Sequence, residues 1–283
     1  MPDDLDLQRF RIAPGEAPRL AYRDPGATGP NLDKHKARAR LADLGARLRE
    51  LQYLLYAEQQ RSLLVVLQAM DAGGKDGTIR HVFACMNPQG VRVTPFRQPT
   101  ATEAAHDFLW RIHRATPGRG EVAIFNRSHY EDVLIARVHK LVPRKVWQRR
   151  YRHINEFESL LADEGTVILK FFLHISAEEQ WRRLRRRLDD PHRHWKISEA
   201  DFSEHRYWDD YQQAYEDALA KCSTEAAPWY VIPANHKWYR NLVVSRILVE
   251  HLESLHLRFP EPRVDIASLR KRYFNHRQED ETP

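Results

Sequence analysis

The spacing of apolar residues changes at one point in the chain, and this change predicts a strand, a turn and a helix in that order. Residues 63–67 (LLVVL) are apolar without alternation, which is typical of a strand covered on both faces in a parallel sheet. A polar turn, residues 68–78 (QAMDAGGKDGT), follows. The next apolar residues lie three or four positions apart, as on one helix face: Ile79, Val82, Phe83 and Met86. The turn therefore leads into a helix N-terminus.

The turn has the chemistry of a phosphate-binding loop. Backbone N–H groups at a helix N-terminus lack intrahelical partners and lie at the positive end of the helix dipole, so they attract anions. Gly74 and Lys75 fit the Walker A pattern, whereas Ala69 and Asp76 replace its first glycine and its Ser or Thr. Asp71 precedes Lys75 by four residues, where a carboxylate can reach a hydrated Mg²⁺. The alternative is an ordinary turn capped by aspartates.

The rest of the pattern predicts four more strands separated by helices. We expect strands at 91–95, 121–125, 166–175 and 229–233, and helices at 31–60, from 101, from 143 towards 163, from 176 and at 238–257. This alternation predicts an α/β fold whose five-stranded parallel sheet carries helices on both faces, in three layers. The leucine stripe of the first helix resembles a short coiled-coil seam, but we interpret it as packing on the sheet.

The positions of proline and glycine residues, which favour turns, divide the chain into three parts. Residues 1–30 contain turns and no sustained period, and we predict an N-terminal arm. Residues 31–260 hold all predicted strands, and we predict that they form the main domain. Residues 261–283 are predicted to be a charged tail that is loosely held.

A dense polar cluster follows the third predicted strand. Residues 126–132 read NRSHYED and come directly after a strand end, which is where open α/β sheets bind ligands. Phosphate-loop proteins use such a strand to direct a carboxylate towards magnesium, and here the candidates are Asn126, Glu131 and Asp132. A helix N-cap by Asn126 or Ser128 with acids in its first turn explains the same residues, and both interpretations hold together.

A basic stretch lies late in the chain. Residues 181–196 (WRRLRRRLDDPHRHWK) contain six Arg and one Lys against two Asp. We predict that Trp181, Leu184 and Leu188 form the buried seam of a helix that Pro191 ends. The arginines beside the seam are a candidate phosphate clamp, and a basic solvated face is the alternative.

Composition narrows the class of protein. The 283 residues are 42% hydrophobic and 30% charged, and the net charge of +6 suits a polyanionic partner. The mean hydropathy is −0.67 and the pI is about 9.3. No membrane span or leader is visible, and two distant cysteines are interpreted as reduced thiols, so we expect a cytoplasmic protein. The 15 histidines show no ligand spacing, so no His-based metal site is assigned.

Several ordered motifs resemble the polyphosphate kinase 2 family over about residues 31–257: AMDAGGKDGT, TPFRQPT, HDFLWRIH, FNRSHYEDV and DDPHRHWKIS. The resemblance implies a P-loop kinase fold related to thymidylate kinase, with a helical lid at about 182–200. It implies Mg²⁺-dependent reversible phosphoryl transfer between inorganic polyphosphate and purine nucleotides, AMP or ADP and GMP or GDP, with Mn²⁺ as a possible substitute. The FNRSHYEDV form resembles the branch that accepts nucleoside monophosphates as well as diphosphates. We also expect a homo-oligomer, a dimer or tetramer.

The resemblance assigns roles by motif. The implied catalytic residues are Asp71, Lys75, Arg127, Arg182 and Arg186. The implied phosphate contacts are Ala72, Gly73, Gly74, Lys75, Asp76, Gly77, Thr78, Arg80, Arg193 and Lys196. The implied nucleotide contacts are Phe96, Arg97, Pro99, Thr100, Glu103, Arg127 and Glu131. The implied metal ligands are Asp71, Asn126, Glu131 and Asp132, and because some family members have Asp where Asn126 stands, the second ligand stays open.

Two other functions compete with this interpretation. An ATP-dependent nucleoside monophosphate kinase of thymidylate-kinase type uses a similar loop and lid, but usually carries a fuller Walker A motif. A basic RNA-binding protein without catalysis shares the charge, but it should show aromatic stacking motifs. We expect no nucleic-acid partner. The sequence leaves open the reaction direction, the preference between AMP and ADP, the base and the role of the arm.

Overall fold

The computed structural model of the chain describes residues 5–29 and 32–274, which contain six strands and eleven α-helices. The strands are β1 Arg11–Ile12, β2 Ser62–Gln68, β3 Val91–Pro95, β4 Val122–Asn126, β5 Thr166–His174 and β6 Trp229–Pro233. The α-helices are α1 Lys34–Glu58, α2 Lys75–Val82, α3 Ala101–Ala104, α4 Trp110–His113, α5 Ile135–Val138, α6 Arg144–Asp163, α7 Ala177–Asp189, α8 Glu199–Ser203, α9 Trp208–Cys222, α10 Lys237–Ser254 and α11 Ile266–Phe274. Residue 31, where the first helix was predicted to begin, and the tail beyond 274 lie outside the described residues.

The strands form one sheet in the order β1-β6-β5-β2-β4-β3. The five strands that the sequence predicted are parallel to one another, and β2 lies at the centre between β5 and β4. The predicted count was one strand short, because β1 pairs antiparallel with β6 at the sheet edge. A strand of two residues has no period that a sequence pattern can show.

Helices cover both faces of the sheet, as predicted. Alternate residues of β2 enter opposite cores, since Leu63 and Val65 pack with α1, α2 and α10 while Leu64 and Val66 pack with α4, α6 and α9. Leu48 of α1 is fully buried in the first of these cores, so the leucine stripe packs within the chain. Across the described ranges, no helix combines the length and apolarity needed to cross a membrane.

Two helix predictions were wrong in detail. The helix expected from residue 101 is interrupted, and α3 and α4 have four residues each. The Asp107 side chain accepts a hydrogen bond from the backbone N–H of Leu109 at 2.9 Å, and this turn separates the two helices. The predicted capping box of Thr100 and Glu103 is present at the start of α3.

The buried face of α7 is polar, which contradicts the predicted seam. Leu184 is buried, but Trp181 is 44% exposed and Leu188 is 51% exposed. The residues that α7 buries beside Leu184 are polar: Glu179, Gln180 and Arg183. The helix is therefore turned with polar side chains towards the phosphate-binding loop, which supplies carbonyl groups as partners, as described below.

Candidate active site

The loop between β2 and α2 is held in one tight conformation. Ala72 and Gly74 lie in the left-handed backbone region, with φ of 58° and 107°. A Cβ at Gly73 would lie 2.4 Å from the Ala69 Cβ and 2.7 Å from the Met70 carbonyl oxygen, so only glycine fits there. The tight loop therefore leads directly into the N-terminus of α2, where free backbone N–H groups attract anions.

Lys75 begins α2 and directs its charge into the loop. Its Nζ donates to the carbonyl oxygen of Ala69 at 2.9 Å. Burial lowers the pKa of Lys75 to about 8, and the positive charge of Arg127 lowers it as well, while Asp71 and Glu131 act in the opposite direction. The ammonium is short of negative partners, so a bound phosphate would stabilise it.

Arg127 joins the loop to the polar cluster after β4. Its backbone is left-handed with φ of 63°, and its N–H donates to the carbonyl of Leu67 at 3.1 Å. The Nη2 donates to Asp71 Oδ1 at 2.9 Å, and Nη1 lies 3.8 Å from Glu131 Oε2. The guanidinium is 38% exposed and lies between two carboxylates, so a ligand can still reach it.

Asp71 and Glu131 supply oxygen donors on both sides of Arg127. The Glu131 side chain is 16% exposed, and burial raises its pKa although Arg127 and Lys75 lower it. Within residues 5–29 and 32–274, no three His, Cys, Asp or Glu residues are grouped as metal ligands. Two carboxylates near a phosphate site nevertheless fit Mg²⁺, which takes one or two carboxylates and completes its shell with phosphate oxygens and water.

Asp76 connects the loop to the segment after α7. Its Oδ1 accepts from Asn126 Nδ2 at 3.0 Å, and its Oδ2 accepts from Lys196 Nζ at 2.9 Å. Burial raises the pKa of Asp76, but Lys196 and Asn126 outweigh it and the net pKa is lowered. The segment after α7 thus lies against the loop, and Asn126 is engaged with Asp76.

Asp132 is placed apart from these groups. Its Oδ1 and its carbonyl oxygen both accept from Arg150 Nη1 of α6, at 3.0 and 2.9 Å. The charges that act on its carboxyl group come from Arg150, Arg111 and His129. The structure therefore brings Asp71, Lys75, Arg127 and Glu131 together but does not bring Asp132 to them.

The implied nucleotide contacts at the end of β3 are of two kinds. Phe96 is buried, with its ring 4.8 Å from that of Phe125, so it packs in the core. Arg97, Pro99 and Thr100 are exposed at the surface. The Glu103 carboxylate accepts a hydrogen bond from the Thr100 backbone N–H at 2.8 Å and caps α3. An acceptor can therefore reach the exposed residues but not the Phe96 ring.

The sequence pattern missed Arg183, which holds the loop from α7. Its Nη1 donates to the carbonyl oxygens of Ala72 and Gly73, each at 3.0 Å. Its Nη2 donates to the carbonyls of Ala234 and Asn235, which follow β6. Burial lowers the pKa of Arg183, against the raising effect of Glu179. Arg183 was one of the six arginines of the candidate phosphate clamp, but the sequence pattern assigned it no individual role.

Arg240 of α10 is a second missed cation and has no motif around it. It is 1% exposed, and its Nη1 lies so near the loop that a Cβ at Gly74 would be 2.1 Å from it. Burial and, to a smaller extent, the charge of Arg183 together lower the pKa of Arg240 to about 9. Two buried guanidinium groups beside one loop indicate that an anion is expected there.

The other predicted arginines lie around this cluster. Burial lowers the pKa of Lys237, and four arginines lower it too: Arg183, Arg186, Arg193 and Arg240. Arg80, Arg182 and Arg186 are exposed, and Arg182 pairs with Glu179. Thr78 is fully buried and its Oγ1 donates to the Gly74 carbonyl at 3.2 Å, so it supports the loop. A basic surface thus extends from the loop along α7 and α10.

A tight glycine loop at the carboxyl edge of a parallel sheet, with carboxylates and converging cations, defines a phosphate-binding α/β protein of the phosphotransferase class. The family model described as Polyphosphate kinase 2 (PPK2) matches residues 31–260, and the chain belongs to this family.

Named relatives and a solved structure support this family assignment. The chain is 58% identical over 257 residues to an AMP/ADP-polyphosphate phosphotransferase of Meiothermus ruber, which covers 90% of this chain and 96% of that protein. It is 44% identical to an ADP-polyphosphate phosphotransferase of Rhodopseudomonas palustris, with 91% and 93% of the two chains covered. The crystal structure of polyphosphate kinase 2 from Arthrobacter aurescens TC1 superposes with a TM-score of 0.91 at 46% identity, covering 95% of this chain and 97% of that one.

Proposed function

We propose that the protein transfers the terminal phosphate of inorganic polyphosphate to AMP or ADP, and that the reaction is reversible. The observation that carries this proposal is the convergence of Lys75, Arg127, Arg183 and Arg240 on one loop, with more arginines continuing along α7. One nucleotide phosphate tail needs fewer cations, whereas each residue of a polyphosphate chain adds an anionic group. Family membership and the names of the relatives support the same substrates.

The chain's own residues would act by position and charge. A phosphate oxygen of the acceptor attacks the terminal phosphorus, a new P–O bond forms, and the bridging P–O bond breaks to leave a chain shorter by one phosphate. The attacking oxygen is already anionic, so no general base is required. Lys75 and Arg127 would neutralise charge on the transferring group, which is the main protein contribution in phosphoryl transfer. Asp71 and Glu131 would hold Mg²⁺ or Mn²⁺, which would supply positive charge to neutralise the phosphate groups.

The acceptor range is part of the proposal. The Meiothermus ruber relative is named for AMP and ADP, and the Rhodopseudomonas palustris relative for ADP. The higher identity to the first relative and the FNRSHYEDV motif favour acceptance of both nucleotides here. One site would then act twice, with AMP giving ADP and ADP giving ATP, because the acceptor slides by one phosphate into line with the donor.

Phosphorus NMR tests the reaction directly. The purified protein is incubated with long-chain polyphosphate, MgCl₂ and AMP, and we expect ADP first and ATP later, with no product when EDTA replaces the metal. A second incubation with ATP and AMP, without polyphosphate, is the control. Faster ADP formation from ATP than from polyphosphate would assign the protein to the ATP-dependent kinases and overturn the proposal. The expected homo-oligomer stays a prediction, which sedimentation velocity would check.

A further inference from the structure

A buried polar network lies directly behind the turn that carries Arg127 and Glu131. Lys170 of β5 donates from Nζ to Glu158 Oε2 at 2.5 Å, to the Tyr130 hydroxyl at 2.9 Å and to a backbone carbonyl at the end of α9 at 2.6 Å. The side chains of Lys170 and Glu158 are 0% and 1% exposed. This ion pair is therefore enclosed by the core.

The network ends on the two residues before Glu131. The Tyr130 hydroxyl donates to Glu158 Oε1 at 2.9 Å, and His129 Nε2 lies 3.1 Å from the same oxygen. Because a carboxylate oxygen only accepts, His129 Nε2 carries the hydrogen. Burial would raise the pKa of Glu158, but Lys170 and His129 outweigh it and lower the net pKa. Each of these hydrogen bonds thus has a defined donor and acceptor.

The turn directs two consecutive side chains into the core and the next one towards Arg127. His129 and Tyr130 are fully buried in the core, Glu131 faces Arg127 and Asp132 is bonded to Arg150. A rotation of this short turn would move Glu131, and Arg127 next to it. A buried ion pair rarely adds net stability over apolar packing, and in some proteins such pairs are retained because they fix one conformation.

We propose that Glu158 and Lys170 are positioning residues for phosphoryl transfer. They act through the Tyr130 hydroxyl on the turn, and the turn sets the places of Arg127 and Glu131 beside the phosphate-binding loop. This inference rests on the proposed function and adds to it a part of the core that touches no substrate. It also explains why a tyrosine stands here, since a phenylalanine fills the same apolar space without joining the pair.

The test variant is Tyr130→Phe, which removes the hydroxyl and keeps the ring against Trp229, 4.8 Å away. The matched control is Tyr230→Phe, a buried tyrosine of the opposite core whose hydroxyl lies 3.1 Å from His251 Nε2. We expect about a tenfold or greater loss of kcat for Tyr130→Phe, because small displacements of catalytic groups are costly, and less than about a twofold loss for the control.

A charge-free variant separates positioning from stability. Glu158→Leu combined with Lys170→Met removes both charges together, and such replacements commonly leave folding intact. We expect cooperative thermal unfolding and a kcat as low as that of Tyr130→Phe. A folded double variant or a Tyr130→Phe variant with kcat within about twofold of the wild type would overturn the proposal, since displaced groups should cost more.

A double-mutant cycle shows whether the network acts through Glu131. In the Glu131→Gln background, we expect Tyr130→Phe to cost less than it does in the wild type, because the part of its effect that passes through Glu131 is already lost there. Full additivity would contradict the proposal. If the wild type makes no nucleotide product, the proposed function fails separately. The network is then judged on the Kd for tripolyphosphate, which Tyr130→Phe should raise about threefold or more through the displaced Arg127, whereas equal affinities would overturn it.

Discussion

Lys75 is a residue of the site whose charge responds to pH near neutrality. Its pKa is lowered to about 8, first by burial and then by Arg127. The ammonium that would bind phosphate is therefore mostly present a pH unit below this value, is half lost at about pH 8 and disappears as the pH rises further. A bound polyanion raises this pKa again, so binding takes up a proton in that range.

We predict that the Kd for tripolyphosphate is flat from pH 6.5 to 7.5 and rises above pH 8, approaching about tenfold per pH unit, which is the linkage limit for one proton. Isothermal titration calorimetry without metal measures it. Lys75→Arg is the control, because arginine keeps its charge throughout this range and should move the rise above pH 9. A rise at the same pH in both proteins would assign the titration to another group.

Glu131 is the candidate for discriminating between acceptors. Its carboxylate lies 3.8 Å from Arg127 and would help hold a metal near the acceptor phosphates, where AMP has one phosphate fewer than ADP to offer. Glu131→Gln should therefore lower kcat/KM for AMP about tenfold more than for ADP, since a lost charge contact commonly costs this much. Coupled assays with both acceptors on one preparation decide it, and an equal loss would leave Glu131 as a general ligand.

The sequence predicts the loop residues of the site but not the cations that come from distant helices. Lys75, Asp71 and Arg127 stand in motifs whose local order already implies their meeting. Arg183 and Arg240 reach the loop only through the packing of α7 and α10. Arg183 is buried against backbone carbonyls and Arg240 against the side-chain oxygen of Asn241. The spacing of apolar residues along a sequence does not predict such polar partners.

At the scale of elements, α7 shows how the site changes the packing of a helix. An amphipathic pattern normally buries its apolar side, yet α7 leaves Trp181 and Leu188 partly exposed and buries Arg183. In this orientation, Arg183 makes charge-assisted hydrogen bonds to the loop and to the segment after β6. The elements themselves follow the sequence periods well, since β2, β5 and α1 end within a few residues of prediction.

We predict that Arg183→Lys destabilises the protein by about 1–3 kcal/mol, because one ammonium cannot bond carbonyls on both sides as the guanidinium does. It should also lower kcat by loosening the loop. Arg182→Lys is the matched control. Arg182 precedes Arg183 in the sequence and also pairs with Glu179, but its side chain is 57% exposed. Urea unfolding of both variants checks the difference, and equal midpoints would show that the carbonyl contacts of Arg183 contribute no stability.

At the scale of the whole molecule, the two ends of the chain differ in how they join the fold. Phe10, Ile12 and Leu20 of the N-terminal segment are buried, and β1 extends the sheet beside β6. The backbone N–H of Asn235 donates to the Pro25 carbonyl at 3.0 Å, close to where Arg183 is bound. In contrast, the described part of the C-terminal segment, residues 261–274, is exposed throughout.

Deleting residues 1–30 should therefore lower the melting temperature and the activity together. Removing three buried large apolar side chains costs several kcal/mol by transfer alone, which corresponds to a fall of about 10 °C or more for a chain of this size. The loop after β6 also loses its contact with Pro25, so Arg183 is held less firmly and kcat should fall. Deleting residues 261–283 is the matched control and should leave both quantities nearly unchanged. Differential scanning calorimetry and activity assays compare the two deletion proteins. Equal melting temperatures would show that the parallel sheet and its helices form the active fold without the arm.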